Sequence, residues 1–262
     1  MNGAVELTID GYGTASIALD RPDSHNAFDD AMIGALNDVV ARLALNETVR
    51  VVVLEGRGRD FSAGADLNWM RRRASGTPEE NYADALALAR LLHALDRLAK
   101  PTIALVQGAA FGGGAGLAAC CDIVVATDDA RFSFSEVRLG LIPAVISPYV
   151  VAAIGARQAR RYFQTGEVFT AQTAQRIGLV HEIVAPAELA AARDTLIMAL
   201  RRGGPEAQAG AKALAIEVAN RPVDASMIAE TSRLISERRA SAEGREGLAA
   251  FLEKRSPAWR ID

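Results

Sequence analysis

The stretch TIALVQGAAFGGGAGLAACCDIVVA, Thr102 to Ala126, decides the fold. It opens on the aliphatic run Thr102 to Val106, the pattern of a strand buried on both faces, breaks into small residues from Gly108 to Gly116, and closes on a second such run, Ile123 to Ala126. A strand, a glycine turn that starts a helix, and another buried strand make one turn of an α/β structure with largely parallel strands. Working outward, Ala15 to Leu19 reads as a strand closed by the turn Asp20-Arg21-Pro22-Asp23. From Asp29 onward Met32, Ile33, Leu36, Val39, Val40 and Leu43 recur at helical spacing; Val49 to Leu54 is a further buried strand, and Ala83 to Leu98 a helix ending before Pro101. After about Pro186 the strands stop. Leu189 to Leu200, Glu206 to Ala219, Asp224 to Arg239 and Gly244 to Arg255 read as helices, broken by Gly203-Gly204-Pro205 and by Pro222. Such a tail must pack over its own sheet or over a neighbouring subunit.

Half of the 262 residues are hydrophobic, enough for a sizeable core. Lys plus Arg (29) nearly balance Asp plus Glu (32), giving a formal charge of −3. That balance lacks the basic footprint that nucleic acid or an anionic membrane requires, while leaving room for a local basic patch. Cys120 and Cys121 are adjacent, without metal-ligand spacing, and read as buried reduced thiols. Met1 to Gly13 lacks the apolar centre of a secretory signal, and no run approaches about 18 apolar residues, so a cytoplasmic protein without a membrane span is expected.

Two segments carry chemistry. FSAGADL (Phe61 to Leu67) and GAAFGGGAG (Gly108 to Gly116) each follow a buried strand and break into small residues. Small residues let a ligand approach the main chain, and a helix start leaves N–H groups without partners. Two such groups converging on one point would hold an oxyanion, at roughly 3 kcal/mol per donor. Close helix–sheet packing is the plain alternative use of these glycines. The spacing does not fit a dinucleotide loop, and a P-loop lysine is missing. His25, His93 and His181 have no serine, cysteine or acid at a telling interval, so no nucleophilic triad is suggested.

Taken together and in order, RPDSHNAF, Phe61 to Leu67, the GGG turn followed by CDIVVA, FSFSEVRLGLIP and the terminal EGLAAFLEKRSPAW resemble the crotonase (enoyl-CoA hydratase/isomerase) superfamily over nearly the whole chain. The resemblance implies a ClpP/crotonase-like spiral of ββα units over residues 1–199 and a C-terminal helical trimerisation region over 200–262. It implies a homotrimer or homohexamer acting on an acyl-CoA thioester, with no metal and no cofactor beyond the coenzyme A of the substrate. Carried over by position, the thioester oxygen would meet the amides of Ala65 and Gly113, with Phe111 and Gly112 beside the second. Ala63, Asp66 and Leu67 are similar to the segment that grips the adenine end of CoA; Asp66 is equally a helix N-cap. Trp69 and Trp259 would line the acyl pocket or simply pack, Trp69, beside the grip, being the better placed. Phe251 and Lys254 match tail positions that contact CoA from an adjacent subunit.

The acid/base is expected at Glu136, in SEVRLG, where apolar neighbours would raise its pKa. The second acidic position of the family holds Gly116. Three readings follow: an isomerase with one glutamate shuttling a proton, another thioester reaction without water addition, or water activated by a carboxylate on the substrate. FSAGADLNWMRRR and GLIPAVISPY favour the last, since they look like bacterial hydratases of methylglutaconyl-CoA and isohexenylglutaconyl-CoA. The run Arg71-Arg72-Arg73 would meet CoA phosphates or a substrate carboxylate, or else lie on a solvated helix face, and loops such as Ala74 to Asn81 would wall the pocket. An RNA-binding role of the same fold is disfavoured by the pI near 5.7.

Overall fold

The computed structural model describes residues 3–260; residues 1, 2, 261 and 262, the outermost ends of the two expected segments, lie outside the described residues. The main sheet has six strands: β1 (Val5–Ile9), β2 (Thr14–Leu19), β3 (Val51–Gly56), β4 (Thr102–Val106), β6 (Ile123–Thr127) and β9 (Glu182–Val184), in the order β1-β2-β3-β4-β6-β9. Among the described residues of this sheet, β1 and β2 pair antiparallel and every other neighbouring pair is parallel. A second sheet joins β5 (Ala109–Phe111), β7 (Arg131–Ser133) and β8 (Phe169–Thr170). The chain passes from β4 directly into β5 and from β6 into β7, so two successive large strands are each followed by a short one in the other sheet. That alternation is the spiral expected from the sequence.

The continuous aliphatic runs follow from what covers the main sheet. Val52, Leu54, Ala104, Val106, Val124 and Ala126 face the larger core, packed by α1 (Asp30–Leu45) and α3 (Pro78–Asp96). Val51, Val53, Ile103, Leu105 and Val125 face the opposite way, onto Ile197 and Leu196 of α7 (Leu189–Arg201). Both faces are therefore dry, and alternation disappears. Three further helices, α8 (Pro205–Val218), α9 (Ala225–Ala240) and α10 (Ala242–Glu253), complete the tail. The tail is pinned to the core at Arg50, whose guanidinium donates to the carbonyls of Gly203 (2.8 Å) and Trp259 (3.0 Å). Among the described residues no helix is long and apolar enough to cross a membrane.

Several elements differ from the sequence reading. The strand expected from Val49 begins at Val51, because Gly13 O takes the amides of both Arg50 and Val51. The helix expected from Ala83 begins at Pro78. Thr77 caps it, in a capping box with Glu80. Residues 78–81 are thus helix rather than part of a loop, and Ala74 ends α2 (Leu67–Ala74). The segment around α5 (Ser147–Thr165) contains a break at Gly155, where φ is 73°.

What positions the site is the turn before α1. Asn26, fully buried, donates through Nδ2 to the carbonyls of Arg57 (2.9 Å) and Asp60 (2.7 Å) and accepts from the amide of Arg21 at 2.8 Å. Its carbonyl accepts from Ser62 Oγ at 2.8 Å, and its φ of 52° is one that asparagine tolerates better than most residues. Asn26→Ala would strand the buried carbonyl of Asp60 and take the partner from the part-buried Arg57 carbonyl and Arg21 amide. We expect a loss of roughly 2–4 kcal/mol, read as a lower urea midpoint at unchanged m-value.

Candidate active site

Two isolated parallel bridges, Phe28↔Ala65 and Ser62↔Ala110, extend the second sheet across three chain segments. In the first, Phe28 donates to Gly64 O (2.7 Å) and Asp66 donates to Phe28 O (2.8 Å), so the intervening amide of Ala65 faces away from Phe28. In the second, Ser62 N donates to Ala109 O and Phe111 N to Ser62 O, both at 2.9 Å. The turn after β3 and the turn after β4 are thereby locked side by side. Gly64 has φ 89° and approaches so closely that a Cβ there would lie 2.9 Å from Phe111 O, which only glycine satisfies. Gly112, with φ 49° and its N–H on Ser133 O (2.9 Å), turns the chain into α4 (Gly113–Ala119). Among the described residues no hydrogen bond takes up the N–H of Ala65 or of Gly113.

Ala65, Gly113 and Glu136 line one cavity of about 260 Å³. That is below the several hundred Å³ of a drug-sized site and suits an acyl group rather than a whole thioester. Phe28, Ile33, Leu88, Leu141 and Ile146 make most of its wall apolar. Glu136 sits in a short 3-10 turn, Ser135–Leu139, after β7. Its Oε2 is buried with no hydrogen-bond partner, and burial raises its pKa, offset in part by a hydrogen bond to its own backbone. A Cβ at Gly112 would lie 3.2 Å from its Oε1, so the glycine also makes room for the carboxylate. Glu136 is therefore not an exposed turn residue.

The second acidic position is closed by packing. A Cβ at Gly116 would fall 2.2 Å from Ile146 Cγ2 and 2.9 Å from Ile146 Cβ. Ile146, buried and on the cavity wall, occupies the space a side chain at 116 would need.

The other expected residues divide. Trp69 lines the cavity, and its Nε1 donates to Asp30. Asp66 caps α2, accepting from the amides of Asn68 (2.8 Å) and Trp69 (3.0 Å); the Trp69 amide above all holds its carboxyl below the usual range. Arg21 bridges two caps at once, meeting Asp29 of α1 at 2.8 Å and Asp66 at 3.1 Å. Ala63 donates to His25 O (2.9 Å), close to the turn, whereas Leu67 is exposed and outside the cavity lining. Phe251 and Lys254, at the end of α10, are likewise exposed and outside that lining. Within the arginine run, Arg71 reaches Asn68, Arg72 reaches Asp30, and Arg73 turns inward to the cavity.

Two features escaped the sequence reading. His25 does have an acidic partner, Asp60, with Nδ1 2.7 Å from Oδ2. Asp60 also accepts from the amide of Ala109 at 2.8 Å, so the pair fastens the turns together; among the described residues no serine or cysteine side chain bonds to the pair. Asn81, Asp84, Ala85 and Leu88 form one cavity-facing stripe of α3. Their spacing is helical, and the capping signal at Thr77 would have extended the helix to reach them. Cys120 and Cys121 are buried and unbonded to each other, with both thiols pushed up by burial, Cys121 to about 12. Among the described residues no cluster of three or more His, Cys, Asp or Glu could hold a metal ion.

Comparison with known proteins identifies the family. A family profile described as enoyl-CoA hydratase/isomerase matches residues 11–261. The chain is 48% identical to an enoyl-CoA hydratase from Shewanella pealeana whose crystal structure superposes with a TM-score of 0.95, over 98% of this chain and 96% of that one. Pseudomonas aeruginosa AtuE superposes with a TM-score of 0.92 at 36% identity, over 98% of this chain and all of its own. The 2,3-dehydroadipyl-CoA hydratase of Escherichia coli K12 is 33% identical over 254 residues, 93% of this chain and 94% of the relative. The chain belongs to the enoyl-CoA hydratase/isomerase family, has the crotonase fold, and is an enzyme of that class.

Proposed function

We propose that the chain hydrates the 2,3 double bond of a branched, carboxylated enoyl-CoA, with the amides of Ala65 and Gly113 holding the thioester oxygen and Glu136 as the protein's only acid/base. The observation that carries this is the placement of one buried, unpartnered carboxylate in the same acyl-sized cavity as two residues whose N–H groups are untaken. Water gives its hydroxyl to the β-carbon and its proton to the substrate's own carboxylate. The electron pair of the double bond moves to the thioester oxygen as an enolate. Two amide donors there would contribute roughly 3 kcal/mol each to its stabilisation. Protonated Glu136 then delivers its proton to the α-carbon and regains one as the substrate carboxylate returns to its ionised form. Burial supports this step, because it holds more of Glu136 in the acid form than an exposed glutamate would keep. The carboxylated acyl chain is supported by the likeness to a relative whose name denotes a dicarboxylic enoyl thioester. By family likeness the assembly is a trimer or a dimer of trimers and works in the cytoplasm.

A second reading is favoured by Ile146. With apolar bulk where a second carboxylate would position water, Glu136 alone could take a proton from one carbon of the acyl chain and return it to another, shifting the double bond. The two readings need opposite forms of Glu136. Hydration needs the acid, so kcat/KM falls as pH rises through the raised pKa; isomerisation needs the carboxylate, so it rises over the same range, above the ordinary glutamate pKa. Product formed in isotopically heavy water separates them independently: only hydration places solvent oxygen on carbon.

Glu136→Gln is expected to lower turnover at least a hundredfold while thiol-ester binding persists. Because Oε2 has no partner to lose, the melting temperature should hold or rise. An active Glu136→Gln enzyme would remove the assignment. On the substrate side, methylglutaconyl-CoA should turn over and crotonyl-CoA hardly at all; comparable rates on both would exclude substrate-assisted hydration. Gly116→Glu alone should destabilise by roughly 1–3 kcal/mol through overpacking against Ile146. Adding Ile146→Ala should restore most of the stability, measured in urea, and bring out hydration of crotonyl-CoA.

A further inference from the structure

One wall of the acyl cavity is polar without serving the chemistry at Glu136. Arg73 of α2 and Asn81 and Asp84 of α3 stand there among apolar residues. Arg73 Nε lies against Asp84 Oδ2, and both atoms are shut off from solvent. Nη2 of the same guanidinium reaches Asp30 Oδ2 at 3.2 Å and Oδ1 at 3.3 Å. Among the described residues no hydrogen bond takes Nη1. Asp84 is in turn poorly accommodated: desolvation raises its pKa in spite of Arg73, and Asp30 and Glu80 push the same way.

A hydrocarbon chain laid against such a pair would further desolvate two charges and offer nothing in return. A carboxylate would gain a great deal, since a guanidinium matches it in both charge and shape. Asp84 is a poor candidate for a second general base, because its buried oxygen is already committed to Arg73. We infer that Arg73 selects acyl chains with a distal carboxylate, and that Asp84 is the internal anion which such a carboxylate displaces from the guanidinium. One oxygen on Arg73 leaves the other free to meet water. This rests on the thioester reading above and names the residue that would set its substrate class.

Calorimetric titration with two saturated, unreactive esters, glutaryl-CoA and butyryl-CoA, tests it without any turnover. The native chain should prefer glutaryl-CoA by roughly tenfold or more. Arg73→Met should reduce that preference to within about threefold, mainly by weakening glutaryl-CoA, and Asp84→Asn should widen it by freeing the guanidinium. No preference in the native chain, equal weakening of both esters by Arg73→Met, or weaker glutaryl-CoA binding in Asp84→Asn would each overturn the assignment. Should Arg73→Met fail to fold, the native chain and Asp84→Asn decide alone. Because neither ester carries a double bond, a retained preference beside absent hydration overturns the reaction only. A lost preference beside Glu136-dependent hydration overturns only the role of Arg73.

Discussion

Everything about this cavity depends on two turns being held in register by main-chain hydrogen bonds. Phe28, Ser62, Gly64, Asp66, Ala109 and Phe111 contribute amides and carbonyls to the two bridges, and among the described residues no acceptor takes the amides of Ala65 and Gly113 beside them. The arrangement uses no side chain at the reacting oxygen. Its accuracy comes instead from groups behind it: Asn26 and Ser62 on one turn, and Asp60 reaching from His25 to Ala109. A backbone held in this way cannot drift at one point without breaking several buried hydrogen bonds together.

Against that fixed frame the carboxylate of Glu136 is deliberately poorly served. Most buried polar atoms in the chain have partners, whereas its Oε2 has none. A structural glutamate would be paired or exposed, and the proposed role of an acid that gives up and recovers a proton would gain from neither. The same contrast separates Glu136 from Asp66, whose oxygens are taken by amides and by Arg21 and whose carboxyl is held ionised. One carboxyl is spent on building the turn, and the other keeps a buried oxygen without a partner.

Much of the fold is legible in the sequence because its main sheet is dry on both sides: Val51 to Leu54, Thr102 to Val106 and Ile123 to Ala126 announce themselves without any partner being known. The short strands Ala109–Phe111, Arg131–Ser133 and Phe169–Thr170 are too brief to show a period and exist only through their pairing. Glu136, Ala65 and Gly113 could be found because glycine turns and a carboxyl among apolar residues leave local marks. Ile146 and Asp84 could not. Ile146 is an ordinary core residue by pattern, and its meaning arises from contact with Gly116, thirty positions away in the sequence. Asp84 looks like any charge on a helix until α2 folds Arg73 against it.

Arg50 ties the tail to this frame in a way that bears on how the chain comes apart. Its guanidinium spans two carbonyls, one before α8 and one beyond α10, from the residue just before a central strand. Removing the last helices would leave a half-buried cation with neither acceptor, and would uncover the strand's start to water. Loosening the closing helices therefore also takes both carbonyl acceptors from Arg50, so opening at that end is felt at the edge of a central strand.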